Sequence, residues 1–181
     1  MDKKQNRIGM SAKKIALIGA MAAAIEVGKL ALMALPNIEV VTLLVGVFGY
    51  VFGFPAVLAT SLFVVLETLL WGFGSWAIGY IIYWNILCIL YCILGLKKIE
   101  NKIVITLCAL IMTTLFGVLT SLIEIGLFSG TFNDFGYRFA IYYSRGASFY
   151  ITQIVCNAVL FPFAFAPLKK ILFKMNRKYF H

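Results

Sequence analysis

Residues 103–128, IVITLCALIMTTLFGVLTSLIEIGLF, carry a single charged side chain, Glu124, in 26 positions. About 20 apolar residues in a helix suffice to cross the hydrocarbon core of a bilayer. This stretch therefore predicts a membrane-spanning helix. Its small and polar residues recur at spacings of three and four and so share one helix face: Thr113, Gly117, Thr120, Ser121 and Glu124. That face either lines a cavity or packs against a neighbouring helix, with its hydroxyls bonded to their own backbone.

The remainder of the chain has the same character. The 181 residues are 62% hydrophobic and 13% charged, whereas soluble domains average about 45–50% apolar and about 25% charged residues. We therefore predict an all-α integral membrane protein, a single domain covering residues 1–181. Its six spans are expected at about residues 13–35, 40–52, 56–70, 78–96, 103–128 and 146–168.

The positive charge indicates how these spans are oriented. Although the net charge is +9, thirteen of the sixteen Lys and Arg residues fall in three clusters that flank apolar stretches: Lys3, Lys4, Arg7, Lys13 and Lys14; Lys97, Lys98 and Lys102; Lys169, Lys170, Lys174, Arg177 and Lys178. Loops rich in Lys and Arg remain in the cytoplasm. Both termini are thus predicted to be cytoplasmic, residues 36–39, 71–75 and 129–145 to face outward, and the basic clusters to attract anionic lipid rather than nucleic acid.

Polar side chains at membrane depth are the candidates for a binding site, because they are costly there and usually face a bundle interior or a cavity. We predict that substrate is bound by Glu39, Glu67, Trp71, Asn85, Glu124, Gln153 and Asn157. Structural roles compete with this interpretation, since the amides can bond across helices and Glu26 and Lys29 can form a buried ion pair. Aromatic residues near the outer leaflet form either an interfacial belt or a surface that stacks on a planar ligand.

The first span has two distinct faces. Ala16, Ala20 and Ala24 form a stripe of small residues that lets another helix approach closely. At about 100° per residue, Glu26 and Lys29 point roughly 150° away from this stripe. The stripe can therefore press against another helix while the two polar side chains face the other way.

Several functions lack the residues that they need. The sequence has no G-x-x-x-x-G-K-[ST] loop for nucleotide phosphates. Its only histidine is His181, so no Ser-His or Cys-His pair and no histidine-metal site can form within the spans. We expect no enzymatic activity, no bound metal and no cofactor. Two other classes of protein compete with the predicted substrate-binding role: a small lipid-modifying enzyme, and a channel or structural subunit.

The six spans, the basic N-terminus and the stripe in Ala16-Leu17-Ile18-Gly19-Ala20 resemble the S components of energy-coupling factor (ECF) importers, the subunits that bind substrate in the membrane. The short second span and the long loop before the last span fit as well. The resemblance covers the whole chain in topology and rests on a motif that is common in membrane helices.

The resemblance implies a substrate pocket in the outer half of the bundle, built from spans 4–6 and the outer loops. It also implies docking through span 1 onto a transmembrane coupling subunit with two ATPases, in a bacterial cell membrane. The ligands of such subunits are mostly vitamins or vitamin precursors. The outer carboxylates favour a ligand with hydrogen-bond donors, and the aromatic residues favour a planar, heteroaromatic one.

Overall fold

The computed structural model describes residues 10–35, 38–128, 131 and 133–179. Three residues of the N-terminal basic cluster (Lys3, Lys4 and Arg7) lie outside these ranges, and so do Pro36 and Asn37 of the segment 36–39 that is predicted to face outward. The described part of the chain contains no strand and folds into seven α-helices: α1 (Ala12–Leu32), α2 (Val41–Phe52), α3 (Phe54–Trp71), α4 (Ser75–Leu96), α5 (Lys102–Ile123), α6 (Phe135–Arg145) and α7 (Ala147–Tyr179).

Five helices are long and apolar enough to cross a membrane, which confirms the predicted all-helical, multi-pass character. They are α1, α3, α4, α5 and α7. A short π-helical segment, Glu124–Phe128, extends α5. The seventh helix, α6, lies within residues 129–145, which the sequence presents only as a polar connector.

Helix α2 is a core element rather than a lipid-facing one. Its 12 residues rise about 18 Å, well short of a bilayer core of about 30 Å. It packs against α1, α3, α4, α5 and α7, and ten of its residues are buried. An apolar sequence without an amphipathic pattern is expected for a helix that is surrounded on all sides.

Glycines allow α2 and α4 to approach each other closely. A Cβ atom on Gly49 would lie 2.6 Å from the carbonyl oxygen of Cys88, and one on Gly95 would collide with the backbone of Tyr50. Close helix packing at small residues replaces the hydrophobic driving force that is absent between helices in lipid. A single residue, Gly53 with φ 64°, then reverses the chain into α3.

The two ends of the bundle differ in charge. The described members of all three basic clusters lie at one end, hereafter the lysine-rich end, where the Lys169 Nζ atom donates to Glu100 at 2.7 Å. The opposite end is formed where α1, α3 and α5 finish and α4 and α7 begin. We call it the cavity end, because the four cavities described below open there.

Candidate functional site

The largest cavity, of about 450 Å³, lies where the first turns of α4 and α7 meet the last turns of α5 and α6. Pockets of about 300–1,000 Å³ are typical of small-molecule sites. Its walls are mainly aromatic and belong to all four helices: Trp76, Tyr80, Phe116, Tyr142, Phe149 and Tyr150. Aromatic faces of this kind stack on planar molecules.

Tyr150 forms the floor of this cavity, and two glycines hold its ring. A Cβ atom on Gly117 would lie 2.8 Å from the ring, and one on Gly146 would lie 2.6 Å from it. The Tyr150 hydroxyl is 3.4 Å from Thr120 Oγ1. The face of α5 predicted from the sequence therefore reaches a cavity at Thr120. The hydroxyls of Thr113, Thr120 and Ser121 all donate to the backbone of their own helix.

Two opposite charges line the same cavity. Glu124 stands at the point where α5 passes into its π-helical segment, and Arg145 ends α6. Both also line a neighbouring cavity of about 300 Å³. Tyr142 lies in both cavities, and burial raises the pKa of its phenol, with the charge of Glu124 adding to the effect. Segments of π-helix occur frequently at functional sites.

Glu39 and Asn157 belong to a buried network rather than to that cavity. The Glu39 carboxylate accepts from the backbone N–H of Thr42 at 2.9 Å and from its hydroxyl at 2.6 Å, which caps the N-terminus of α2. Asn157 Nδ2 donates to Glu39 Oε1 at 2.9 Å and to Thr113 Oγ1 at 3.0 Å. The network therefore joins α2, α5 and α7.

Glu39 shows how far the chain before α2 extends along α7. Its partner Asn157 stands ten residues into α7, about 15 Å along the helix axis. Since Glu39 bonds to Asn157, the chain before α2 reaches into the bundle. Non-helical backbone is tolerated at such depth where protein surrounds it.

A second charged group connects α1 to α3. Lys29 Nζ donates to Glu67 Oε2, so the partner of Lys29 is Glu67 rather than the expected Glu26. Glu67 is 1% exposed and Glu26 is 8% exposed. Both carboxyl oxygens of Glu26 and Oε1 of Glu67 have no hydrogen-bond partner. The two carboxyl groups are neighbours, and together they face one lysine.

This charged group lies beside two smaller cavities at the same end. Lys29 and Glu67 line a cavity of about 140 Å³ together with Trp71, and the Lys29 Nζ atom is 5.7 Å from the centroid of the Tyr80 ring. Tyr80 also lines the largest cavity. Gln153 lies with Glu39 and Lys29 on a fourth cavity, of about 180 Å³.

Asn85 lies apart from all four cavities. Its Nδ2 atom donates to the Ile81 carbonyl at 2.8 Å, and its Oδ1 atom accepts from Ser61 at 3.0 Å. The amide oxygen thus joins α4 to α3, and the amide nitrogen bonds to the backbone of α4 itself. This geometry matches the structural alternative for Asn85.

The alanine stripe is on the outside of the bundle. Ala16, Ala20 and Ala24 are exposed, whereas Ile25 and Glu26 on the other side of α1 are buried. The geometric prediction for this helix, with the stripe opposite the charged residues, is confirmed.

The structure thus separates the predicted site residues into four groups. Glu124 lines the largest cavity, and Glu67 and Trp71 line the small cavity beside Lys29. Glu39 and Gln153 line the fourth cavity, and the buried Asn157 bonds to Glu39. Asn85 lies apart from all four cavities. Sequence reasoning missed Arg145 and the aromatic walls contributed by Tyr142 and Phe149. The signal for Arg145 was that only it and Arg138, among the arginines, lie outside the basic clusters.

Comparison of this chain with protein-family models, curated proteins and solved structures finds no match.

Proposed function

We propose that this protein is the substrate-binding membrane subunit of an ECF-type importer, which captures a vitamin-like molecule at the cavity end. The observation that carries the proposal is the aromatic cavity of about 450 Å³ at the end of the bundle opposite the basic clusters. By the positive-inside rule the lysine-rich end is cytoplasmic. The cavity then opens to the outside, where an importer meets its substrate.

The proposal includes six spans with both termini in the cytoplasm. Five helices are long enough to cross alone, and α2 completes the sixth crossing together with the residues that lead into it. Its shortness fits this role, because a helix surrounded by protein does not have to match the bilayer thickness. An even number of crossings also agrees with the basic residues of α1 and α7 lying at the same end.

The exposed face of α1 supports a role in docking. Ala16, Ala20 and Ala24 form a strip without bulk, and lipid alone gives no reason for small residues there. A partner helix does, because packing in membranes depends on close backbone approach. We propose that a transmembrane coupling subunit with two ATPases docks on this strip. The polar clusters lie on the opposite side of α1, so docking and substrate capture do not compete.

Assembly with ATPases is the experiment that tests the proposed function. The tagged chain is purified from its native membranes in mild detergent, and co-purifying subunits are identified by mass spectrometry. Ala20→Trp should abolish the association with the ATPases, whereas Ile111→Trp, which places the same side chain at an exposed position of α5, should not. Retrieval of the parent without ATPases, or equal retrieval by both variants, would contradict the proposal.

The orientation is tested separately with fused topology reporters. Reporters after Lys98 and after Lys178 should report from the cytoplasm, and one near Asn133 should report from the outside. A cytoplasmic signal at Asn133 would contradict the proposed six-span topology.

A further inference from the structure

The largest cavity is lined by two charged side chains that form no ion pair and no hydrogen bond with the described part of the protein. Within the described part of the chain, the side chains of Glu124 and Arg145 make no ion pair and no hydrogen bond. Both line the cavity wall, yet they do not approach within the 4.0 Å that defines an ion pair. Glu124 is partly buried and Arg145 is exposed.

The other charged residues of the four cavities each bond to a partner within the protein, unlike Glu124 and Arg145. Lys29 is bound to Glu67. Arg138, which lines the neighbouring cavity, donates from Nη1 to the Thr131 carbonyl at 2.8 Å. Glu39 is held by Thr42 and Asn157. Glu124 and Arg145 are thus the charged cavity residues without a protein partner among those that the structure describes.

A ligand that fills this cavity removes part of the solvent around both groups. A desolvated charge without a partner is costly, so an aromatic hydrocarbon would gain stacking and lose solvation at two points. A ligand with only a cationic group would satisfy Glu124 and leave Arg145 unpaired. A ligand with only an acid group would do the reverse.

We infer that the cavity selects a planar aromatic molecule that carries two groups of opposite charge, hereafter its two poles. One pole is a protonated amine or similar donor directed to Glu124, and the other is an acid group directed to Arg145. The planar guanidinium of Arg145 provides two parallel donors, which suits a carboxylate or a phosphate equally. The two protein charges cancel, so the ligand as a whole is close to neutral. This inference rests on the proposed function for the identity of the site and adds the chemical class of the substrate.

Four probes with one ring separate these requirements. L-tryptophan carries both poles, tryptamine has the amine alone, indolepropionate has the acid alone, and indole has neither. Their affinity for the purified full-length chain in detergent is measured by isothermal titration calorimetry. Because a hydrogen bond to a charged group in a desolvated site is worth about ten- to a hundredfold in affinity, L-tryptophan should bind at least tenfold more tightly than any of the other three.

Two variants test whether Glu124 binds the amine and Arg145 binds the acid group. Arg145→Gln should reduce L-tryptophan binding about tenfold or more and leave tryptamine unchanged. Glu124→Gln should reduce L-tryptophan binding similarly and leave indolepropionate unchanged. Lys170→Gln, which removes an exposed cation at the lysine-rich end, is the matched control and should affect none of the probes. Melting of the ligand-free variants should match the parent, because neither side chain has a partner to lose.

Indole binding as tightly as L-tryptophan would overturn the inference, and so would equal binding of tryptamine and L-tryptophan or an absence of binding by all four probes. Because these measurements use the isolated chain, their failure is distinct from failure of the proposed function, which the association with ATPases decides.

Discussion

The ion pair between α1 and α3 gives an asymmetric prediction for two neighbouring glutamates. Glu67→Gln removes the counter-ion of Lys29, whereas Glu26→Gln removes a carboxyl group whose oxygens have no hydrogen-bond partner. Both substitutions keep the size of the side chain and remove one potential charge. A difference between them therefore reports on pairing rather than on packing.

The magnitude follows from the burial of the two partners. Breaking a fully buried ion pair costs about 3–5 kcal/mol, but the Lys29 side chain is 30% exposed and retains some solvation. We expect Glu67→Gln to lower the free energy of unfolding by about 2–3 kcal/mol, or the melting temperature by about 4–12 °C for a chain of this size. At position 26, a glutamine amide can donate to the unpartnered Oε1 of Glu67. Glu26→Gln should therefore be neutral or stabilising.

The assay is thermal unfolding of the purified proteins in detergent, followed by tryptophan fluorescence. The double variant Lys29→Met with Glu67→Gln should regain part of the loss, because removing both partners leaves no unpaired ammonium group. Equal destabilisation by the two single variants, or no effect of Glu67→Gln, would refute the assignment of Glu67 as the partner of Lys29. A selective loss of ligand affinity in a fully stable Glu67→Gln protein would instead support the predicted binding role of Glu67.

Three further variants test the packing around the site. Asn157→Ala should cost about 2–4 kcal/mol of unfolding free energy, measured by thermal melting, because it removes the donor to Glu39 and Thr113; an unchanged melting temperature would contradict the network. Gly117→Ala should lower the free energy of unfolding by about 1–3 kcal/mol, because the added methyl group meets the Tyr150 ring. Gly19→Ala, with open space around it, should stabilise α1 by up to about 1 kcal/mol. A change of the same sign in both variants would refute the close contact. Lys169 lowers the pKa of the exposed Glu100, so this contact stabilises the fold above the unfolded carboxyl pKa of about 4.3 and is lost as the pH falls through the folded value. Glu100→Gln should accordingly flatten the decline in melting temperature between about pH 6 and pH 3. An equally steep decline in the variant and the parent would contradict the contact.

The fold was predictable where a single helix carries the information. Uninterrupted apolar length located the five long helices, and the periodicity of α1 separated its alanine stripe from Glu26 and Lys29. The face of α5 that ends in Glu124 was also recognisable from its spacing, and both alternatives for it apply at Thr120, which lines the cavity and bonds to the backbone of its own helix. These features depend on the pitch of an α-helix and on neighbours within about two turns, so no knowledge of the remaining chain is needed.

The short elements were less predictable. Helix α6 has no apolar stretch and lies in a polar connector, so hydropathy did not reveal it, although it carries Tyr142 and Arg145 into the cavity wall. The depth that the chain before α2 reaches was not predictable from its sequence, because residues near Pro36 are typical of a loop. Its depth follows from the cap that Glu39 provides to α2 and from the bond to Asn157.

The sequence by itself determined that the protein is helical, apolar and multi-pass, which end carries the lysines, and which residues share a helix face. Only the tertiary structure decided which faces meet. Lys29 bonds to a residue 38 positions away and Asn157 to one 118 positions away, and such partners depend on the lateral order of the helices. Helix periodicity fixes the direction of a side chain around its own axis, but several helices present a polar residue at similar depth. Close approach at glycines such as Gly49 and Gly95 selects the neighbours, and with them the cavity that places Glu124 opposite the aromatic walls.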